Sequence, residues 1–315
     1  MEGECDMYAK GALPGRKSLW QRIFKNRALY MMLLPAFLIT LIFNYLPIGG
    51  IVIAFKRYSV GRGTWGSPWV GLRWFVQFIE NPYAFRLIRN TLVLGFASFL
   101  VTFPAPILLA LLFNELRSER FKRVAQSVSY IPHFISTIII VGMLKNFTTQ
   151  YGMINNMIAA LGGERIIFFT RSEWFRPLYI LSGLWQGIGW GTIIYLAALS
   201  GVSPVLYEAA ELDGATRFQK VRYITFPALT PTIATLFILS IPGFVNVDTE
   251  KILLMYSSAI YDTADVIGTY VYREGIESAN YSYSTAINLA LSCVSFVLLF
   301  AANWASRKLS DNSLW

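Results

Sequence analysis

The placement of charge constrains this chain more than any other feature. Seven stretches of eighteen or more residues contain no Asp, Glu, Lys or Arg: 28–55, 90–114, 124–144, 146–163, 177–207, 223–247 and 278–306. An apolar helix needs roughly 18–20 residues to cross a bilayer, and a charge at its centre costs about 2.5–3.5 kcal/mol on insertion scales. Six of the seven are rich in Leu, Ile, Val, Phe and Ala. The seventh, 146–163, holds Asn146, Thr148, Thr149, Gln150, Asn155 and Asn156 and reads as a loop with a short helix. The pattern predicts an all-α, polytopic membrane protein with six transmembrane helices, near 29–53, 91–113, 125–144, 178–200, 229–247 and 284–304.

Six spans put both termini on one side. The basic clusters Arg16, Lys17, Arg22, Lys25, Arg27, then Arg117, Arg120, Lys122, Arg123, then Arg217, Lys220, Arg222, and finally Arg307, Lys308 would share the cytoplasmic face, as the positive-inside rule asks. The first outer loop departs from that rule with Lys56, Arg57, Arg62, Arg73, Arg86 and Arg89. The net charge of +9 therefore reads as a topology signal rather than as a nucleic-acid surface. The N-terminus opens with Glu2, Glu4 and Asp6, and the first apolar run is too long for a secretory signal. The expected organisation is a cytoplasmic tail, 1–28, a membrane domain, 29–304, and a cytoplasmic tail, 305–315. The first tail carries an amphipathic stretch at Leu19, Trp20, Ile23 and Phe24, suited to the membrane surface. Residues 71–80 are expected to form an interfacial helix. On this topology Cys5 and Cys293 lie too far apart to pair.

Several spans carry breaks: Pro35 and Pro47 with Gly49-Gly50 in the first, Pro104 and Pro106 in the second, Pro242-Gly243 in the fifth. Proline removes a backbone donor and kinks a helix, which serves packing or a hinge. In the fourth span Gly183, Gly187 and Gly191 recur at spacing four, a pattern expected to admit a neighbouring helix on one face. Trp185, Gln186 and Trp190 lie among them and, with Asn246 and Asn288, are the candidates for a polar path near the midplane. The single histidine, His133, is expected to be a hydrogen-bonded structural residue.

Known chemistry is missing from the pattern. No glycine precedes a lysine, so there is no P-loop; there is no H-E-x-x-H and no G-x-S-x-G. No metal site or catalytic residue is assigned. The spans hold almost no ionisable groups, which speaks against a carboxylate ion relay. A transporter built this way must take its energy from elsewhere.

One segment could receive it. Ser203-Pro204 reads as a helix start, with a capping serine and proline at the first helical position. Gly214 fits the left-handed position that closes a helix. Between them, Ala209 and Ala210 leave room for a partner surface, and Glu208 and Asp213 offer charge. A second helical piece is expected over 216–223, before Pro227 and Pro231 open the next span.

The pattern E-A-A-x(3)-G-x(9)-I-x-L-P stands here as Glu208, Ala209, Ala210, Gly214, Ile224, Phe226 and Pro227. It resembles the signature of the membrane subunits of ATP-binding-cassette importers, with Phe226 where leucine is usual. Asp213 and Ala215 extend the likeness to the carbohydrate-uptake branch. Phe103-Pro-Ala-Pro106, Tyr130-Ile-Pro-His-Phe134 and Gly187-Ile-Gly-Trp-Gly191 look like the permeases for complex oligosaccharides, including uronic-acid oligomers. The resemblance implies a type I importer permease fold in a bacterial cytoplasmic (inner) membrane. It implies a coupling segment made of Glu208, Ala209, Ala210, Asp213, Gly214, Ile224 and Pro227. It also implies a dimer of separate ATPase subunits holding ATP and Mg, a second related permease, and an extracellular or periplasmic solute-binding protein. The cargo would be an oligosaccharide, and this chain, embedded in lipid, would bind no cofactor and catalyse nothing itself. The signature is shared with permeases for amino acids, peptides and glycerol phosphate, which remain alternatives; a membrane-embedded enzyme is a remote one.

Overall fold

A computed structural model describes residues 26–309. The amphipathic stretch at 19–24 and Cys5 lie outside the described residues. The chain divides into two units, residues 1–52 and 53–315. The first unit holds α1 (Arg27–Thr40), which passes Pro35, continues as a wide π turn over Leu41–Tyr45 and tightens into a 3-10 helix from Leu46. The tightening begins where Pro47 removes a donor and Gly49-Gly50 loosens the backbone.

The second unit is built from α2 (Arg73–Ile79), α3 (Ala84–Thr102), α4 (Pro104–Asn114), α5 (Glu119–Tyr130), α6 (Thr137–Phe147), α7 (Met153–Ala160) and α8 (Ser172–Ser200). It continues with α9 (Pro204–Leu212), α10 (Arg217–Lys220), α11 (Phe226–Ser240), α12 (Thr249–Met255), α13 (Ile267–Tyr272) and α14 (Tyr281–Leu309). Among the described residues no strand forms; one isolated antiparallel bridge joins Lys56 to Trp69. The expected interfacial helix is α2, and the polar seventh stretch carries α7.

Among the described residues four helices are long and apolar enough to cross a membrane: Arg27–Phe55, Ala84–Asn114, Arg217–Phe244 and Tyr281–Lys308. Two more crossings come as bent pairs, Glu119–Phe134 with Thr137–Phe147 at 97° and Ser172–Ser200 with Pro204–Leu212 at 72°. Counted as one span each, they complete six. The third span is therefore not the straight helix expected over 125–144. Pro132 cannot donate, the helix gives way to a 3-10 turn over Ile131–Phe134, and Ser136 then caps α6 by accepting from the Ile139 N–H at 3.4 Å.

The long helix α8 joins two cores. Toward its first residues, Phe175 and Tyr179 pack with Leu94, Ile252, Met255 and Val266. Toward its last, Tyr195 and Leu199 pack with Ile107, Ala110 and Leu229. The spacing-four glycines are used unequally. Gly187 has nothing within 4 Å of where a Cβ would stand, and Gly191 faces the Pro106 ring at 2.8 Å. The tightest point is Gly189, where a methyl would overlap the Ser129 carbonyl. Gly95 of α3 also lies close to the Phe244 main chain, at the proline break of the fifth span. A periodic pattern names a helix face but not the neighbours that cross it; here one presses at Gly191 on the expected face and another at Gly189, two residues away.

The third glycine of the expected set, Gly183, lies under Lys251. That lysine is only 3% exposed; its Nζ donates to the Tyr179 carbonyl at 2.9 Å and stands 4.9 Å over the Tyr179 ring. Burial pushes its ammonium down from the ordinary 10.5 to about 8, with Asp248 partly opposing the shift. A lysine depressed in the folded state withholds stability below pH 8 and returns it as pH climbs toward its unfolded value; the gap corresponds to about 3 kcal/mol at neutral pH. Lys251→Met should thus raise the unfolding temperature of the transporter in nanodiscs at pH 7, with the gain shrinking by pH 10. An equal gain at both pH values would show that the charge is not the cost.

Candidate functional site

Two places could carry function: the segment that follows α8 and the break in the third span. In the first, α9 leaves α8 at 72° with Pro204 at its first position. Ser203 stands at the N-cap, but its side chain makes no capping bond. The helix ends by left-handed closure: Gly214 has φ +75°, and the Ala215 N–H donates to the Ala210 carbonyl at 2.8 Å. The expected second piece forms as α10, opened by a capping box in which Thr216 and Gln219 bond each other's main chain.

The two pieces are tied together along one side of α9. Tyr207 Oη bonds Thr225 Oγ1 at 3.1 Å, and Lys220 Nζ donates to Glu211 Oε1 at 2.5 Å. The other side carries Val205, Glu208, Ala209 and Leu212, spaced so that they share one face. All four are exposed, Leu212 to 90%. Asp213 and Gly214 are exposed as well, Ala210 and Ile224 are half-buried, and Pro227 lies exposed in the first turn of α11. The outcome is an apolar stripe with one carboxylate, held on a braced loop. Pattern reasoning finds the helix but misses the Glu211–Lys220 brace, because the two residues lie nine apart on different helices.

The brace has a direct test. Lys220→Glu should lower transport several-fold by freeing α10 from α9, and the charge-swapped pair Glu211→Lys with Lys220→Glu should recover most of it. Uptake rates of the three proteins decide the matter; if the swap rescues nothing, the pair is incidental, as many exposed ion pairs are.

At the break in the third span, the His133 ring stacks on Trp190 with centroids 4.4 Å apart and planes 5° apart. Phe134 meets the same indole edge-on at 5.6 Å. Gln186 Nε2 donates to the Ile135 carbonyl at 3.0 Å, satisfying a group that the broken helix leaves open. His133 is thus an exposed ring on an aromatic shelf and, among the described residues, makes no side-chain hydrogen bond of the kind expected. Its place was legible only as Pro132-His133 within an apolar run.

The five path candidates do not converge. Gln186 and Trp190 belong to the shelf. Trp185 points elsewhere, into an apolar cavity of about 330 Å³ with Ile140, Met143, Leu144 and Leu181. Asn246 donates to Ser295 Oγ at 2.8 Å. Asn288, Ser292 and Ser295 follow one face of α14, and Ser292 Oγ bonds the Asn288 carbonyl at 2.9 Å. Asn246 and Asn288 therefore share a polar stripe along the last span.

Known proteins resemble the chain over nearly its whole length. The family of binding-protein-dependent transport system inner membrane components matches residues 102–311. Protein LplB of Bacillus subtilis (strain 168) is 45% identical over 303 residues, 96% of this chain and 95% of LplB. The polygalacturonan/rhamnogalacturonan transport system permease protein YteP of the same organism is 42% identical over 301 residues, 95% of this chain and 94% of YteP. Among solved structures, a bacterial ABC transporter involved in the import of the acidic polysaccharide alginate aligns with a TM-score of 0.85 at 41% identity, covering 93% of this chain and 99% of that one. A second structure, the bacterial alginate ABC transporter in complex with alginate pentasaccharide-bound periplasmic protein, aligns with a TM-score of 0.85 at 40% identity, covering 94% and 99%.

Proposed function

The chain belongs to the family of binding-protein-dependent transport system inner membrane components, and from that premise we propose that it forms half of the path by which a uronic-acid-containing oligosaccharide enters the cell. It is a multi-pass membrane permease, and the importer it serves works with a solute-binding protein. In the proposed assembly a second related permease forms the other half, and two ATPase subunits carry ATP and Mg. Both termini and the loop 203–227 face the cytoplasm. No cofactor sits on this chain.

The observation that carries the reading is the braced loop. Its exposed stripe of Val205, Glu208, Ala209 and Leu212 suits a cleft in the ATPase, and its rigidity lets movement of that cleft pass to α8 and α11. Tilting the helices from an inward-open to an outward-open majority takes about 5.5 kcal/mol of differential binding for a change from 1:99 to 99:1. ATP and the loaded binding protein supply it together.

Cargo passes the mid-span shelf. Irregular backbone at membrane depth is tolerated where it is buried in protein or lines a water-filled cavity, and ionisable side chains there avoid lipid. The exposed turn at 131–136, with its imidazole and the amide of Gln186, fits such a cavity. Trp190 and Phe134 give a sugar ring apolar faces to lie against, and the stripe of Asn246 and Asn288 offers amides. The test is reconstitution with the partner chains, reading ATPase stimulation across a panel of binding proteins loaded with different oligosaccharides. Stimulation by a uronate oligomer that Trp190→Ala removes supports the reading; stimulation by amino-acid or peptide cargo alone overturns it.

A further inference from the structure

The end of the molecule opposite the loop 203–227 holds positive charge where general rules disfavour it. At 1.5 Å per residue, α8 is about 43 Å long, against a hydrocarbon core of about 30 Å, so part of it extends beyond the membrane, and its charged first turns, with Glu173 and Arg176, are the part that lipid disfavours. The same holds for the run Ala84–Asn114. Cations are unfavourable at the positive end of a helix, yet α3 carries Arg86 and Arg89 in its first two turns with no acid in the first. Arg176 follows the start of α8, where Glu173 is turned to Arg171 at 3.8 Å. Burial, and then the like charge of Arg89, hold the Arg176 guanidinium below its ordinary range, with Asp262 opposing the shift.

The local acids do not neutralise the group. Asp265, 1% exposed, accepts both Arg273 nitrogens at 3.1 and 2.9 Å and the Thr269 hydroxyl at 2.8 Å, leaving Arg86 at 3.8 Å. Asp262 accepts from the Ser172 hydroxyl at 2.5 Å and keeps its charge, which acts on Arg176. Four guanidiniums therefore face two carboxylates, a surplus of two positive charges.

That surplus is held in place. Arg176 Nη2 donates to Asn90 Oδ1 at 3.2 Å, and Asn90, fully buried, donates to the carbonyls of Asp262 and Asp265 at 2.9 and 3.0 Å. Arg86 lies 4.8 Å over the Tyr83 ring. The Nε atoms of Arg86 and Arg176 are buried without a hydrogen-bond partner among the described residues. Unmade bonds of this kind cost about 1–3 kcal/mol each. Breaches of local rules that cluster in this way mark functional ground.

We propose that Arg86, Arg89 and Arg176 form a carboxylate-reading collar at the outer ends of α3 and α8, which takes the uronate groups of an acidic oligosaccharide as it enters the path. The proposal rests on the oligosaccharide reading above and names the groups that make the cargo's charge matter. A guanidinium presents paired donors that match a carboxylate, which an ammonium does not. A neutral sugar leaves them unused.

The test uses the whole importer in sealed proteoliposomes, with a galacturonate trisaccharide and its methyl ester as probes. Arg89→Gln with Arg176→Gln should lower uptake of the acid roughly tenfold or more, the size expected for charge-assisted bonds. Uptake of the ester and the affinity for unloaded binding protein should stay unchanged, and Arg89→Lys with Arg176→Lys should recover uptake only in part. A matching loss of binding-protein affinity would make the collar a docking site for that protein and overturn the proposal. So would unchanged uptake of the acid. In the unaltered importer, the acid should outcompete the ester, and added salt should narrow the difference. Equal competition refutes the collar even if the variants fail to assemble, and uptake of neither sugar by the unaltered importer refutes the oligosaccharide reading instead.

Discussion

Valine at position 214 is expected to abolish uptake while leaving the transporter assembled. The backbone there has φ +75°, a left-handed conformation that costs an ordinary residue roughly 1–2 kcal/mol and a β-branched one more. Nothing lies within 4 Å of an added Cβ, so the penalty is one of conformation and not of space. This predicts a graded series: Gly214→Asn tolerated, Gly214→Ala intermediate, Gly214→Val inactive. A cost of about 2 kcal/mol lowers the competent population roughly 30-fold. The consequence spreads along the loop. Without the left-handed turn, the Ala215 N–H loses the Ala210 carbonyl, and the chain leaves α9 in another direction. Lys220 then no longer reaches Glu211, nor Thr225 Tyr207. Uptake in cells, with co-purification of the partner chains as the control for assembly, reads the outcome. Full uptake by Gly214→Val would mean that the loop does not need this closure.

That loop was legible because its signals are local. Pro204 at a helix start and glycine after the last helical turn are short-range devices, and each formed where the pattern placed it, although Ser203 makes no capping bond. The spans were legible for a different reason: a charge is expensive in hydrocarbon, so its avoidance is written along the chain. Direction is not written there. Nothing in the apolar run 124–144 says that it turns by 97°, although Pro132 followed four residues later by a capping serine marked where a turn could fall. Long-range pairing is equally silent. Asp265 with Arg273 and Arg86, Lys251 with Tyr179, and the stack of His133 on Trp190 join residues whose separation no helical period encodes. One sign of the outer cluster did show early, as the six basic residues of the first outer loop that broke the positive-inside rule.

Gly189 offers a second large effect and a sharp control. A methyl at 189 would overlap the main chain of Ser129, in the last turn of α5. The obstacle is backbone, which cannot swing aside as a side-chain tip can, so the cost should exceed the about 1–3 kcal/mol typical of overpacking. Gly189→Ala should reduce the yield of assembled transporter sharply, and Gly189→Leu should eliminate it. Two residues earlier on the same helix, Gly187 faces open space, and Gly187→Ala should be neutral or gain about 0.5–1 kcal/mol from helix propensity. The contrast reaches the shelf, because Ser129 lies four residues before His133. Forcing α5 away from α8 draws the imidazole off Trp190 and separates Gln186 from the Ile135 carbonyl. Any Gly189→Ala protein that does assemble should thus show altered tryptophan emission and weaker stimulation by cargo, whereas Gly187→Ala should show neither. Equal behaviour of the two variants would mean that α5 and α8 do not meet at Gly189.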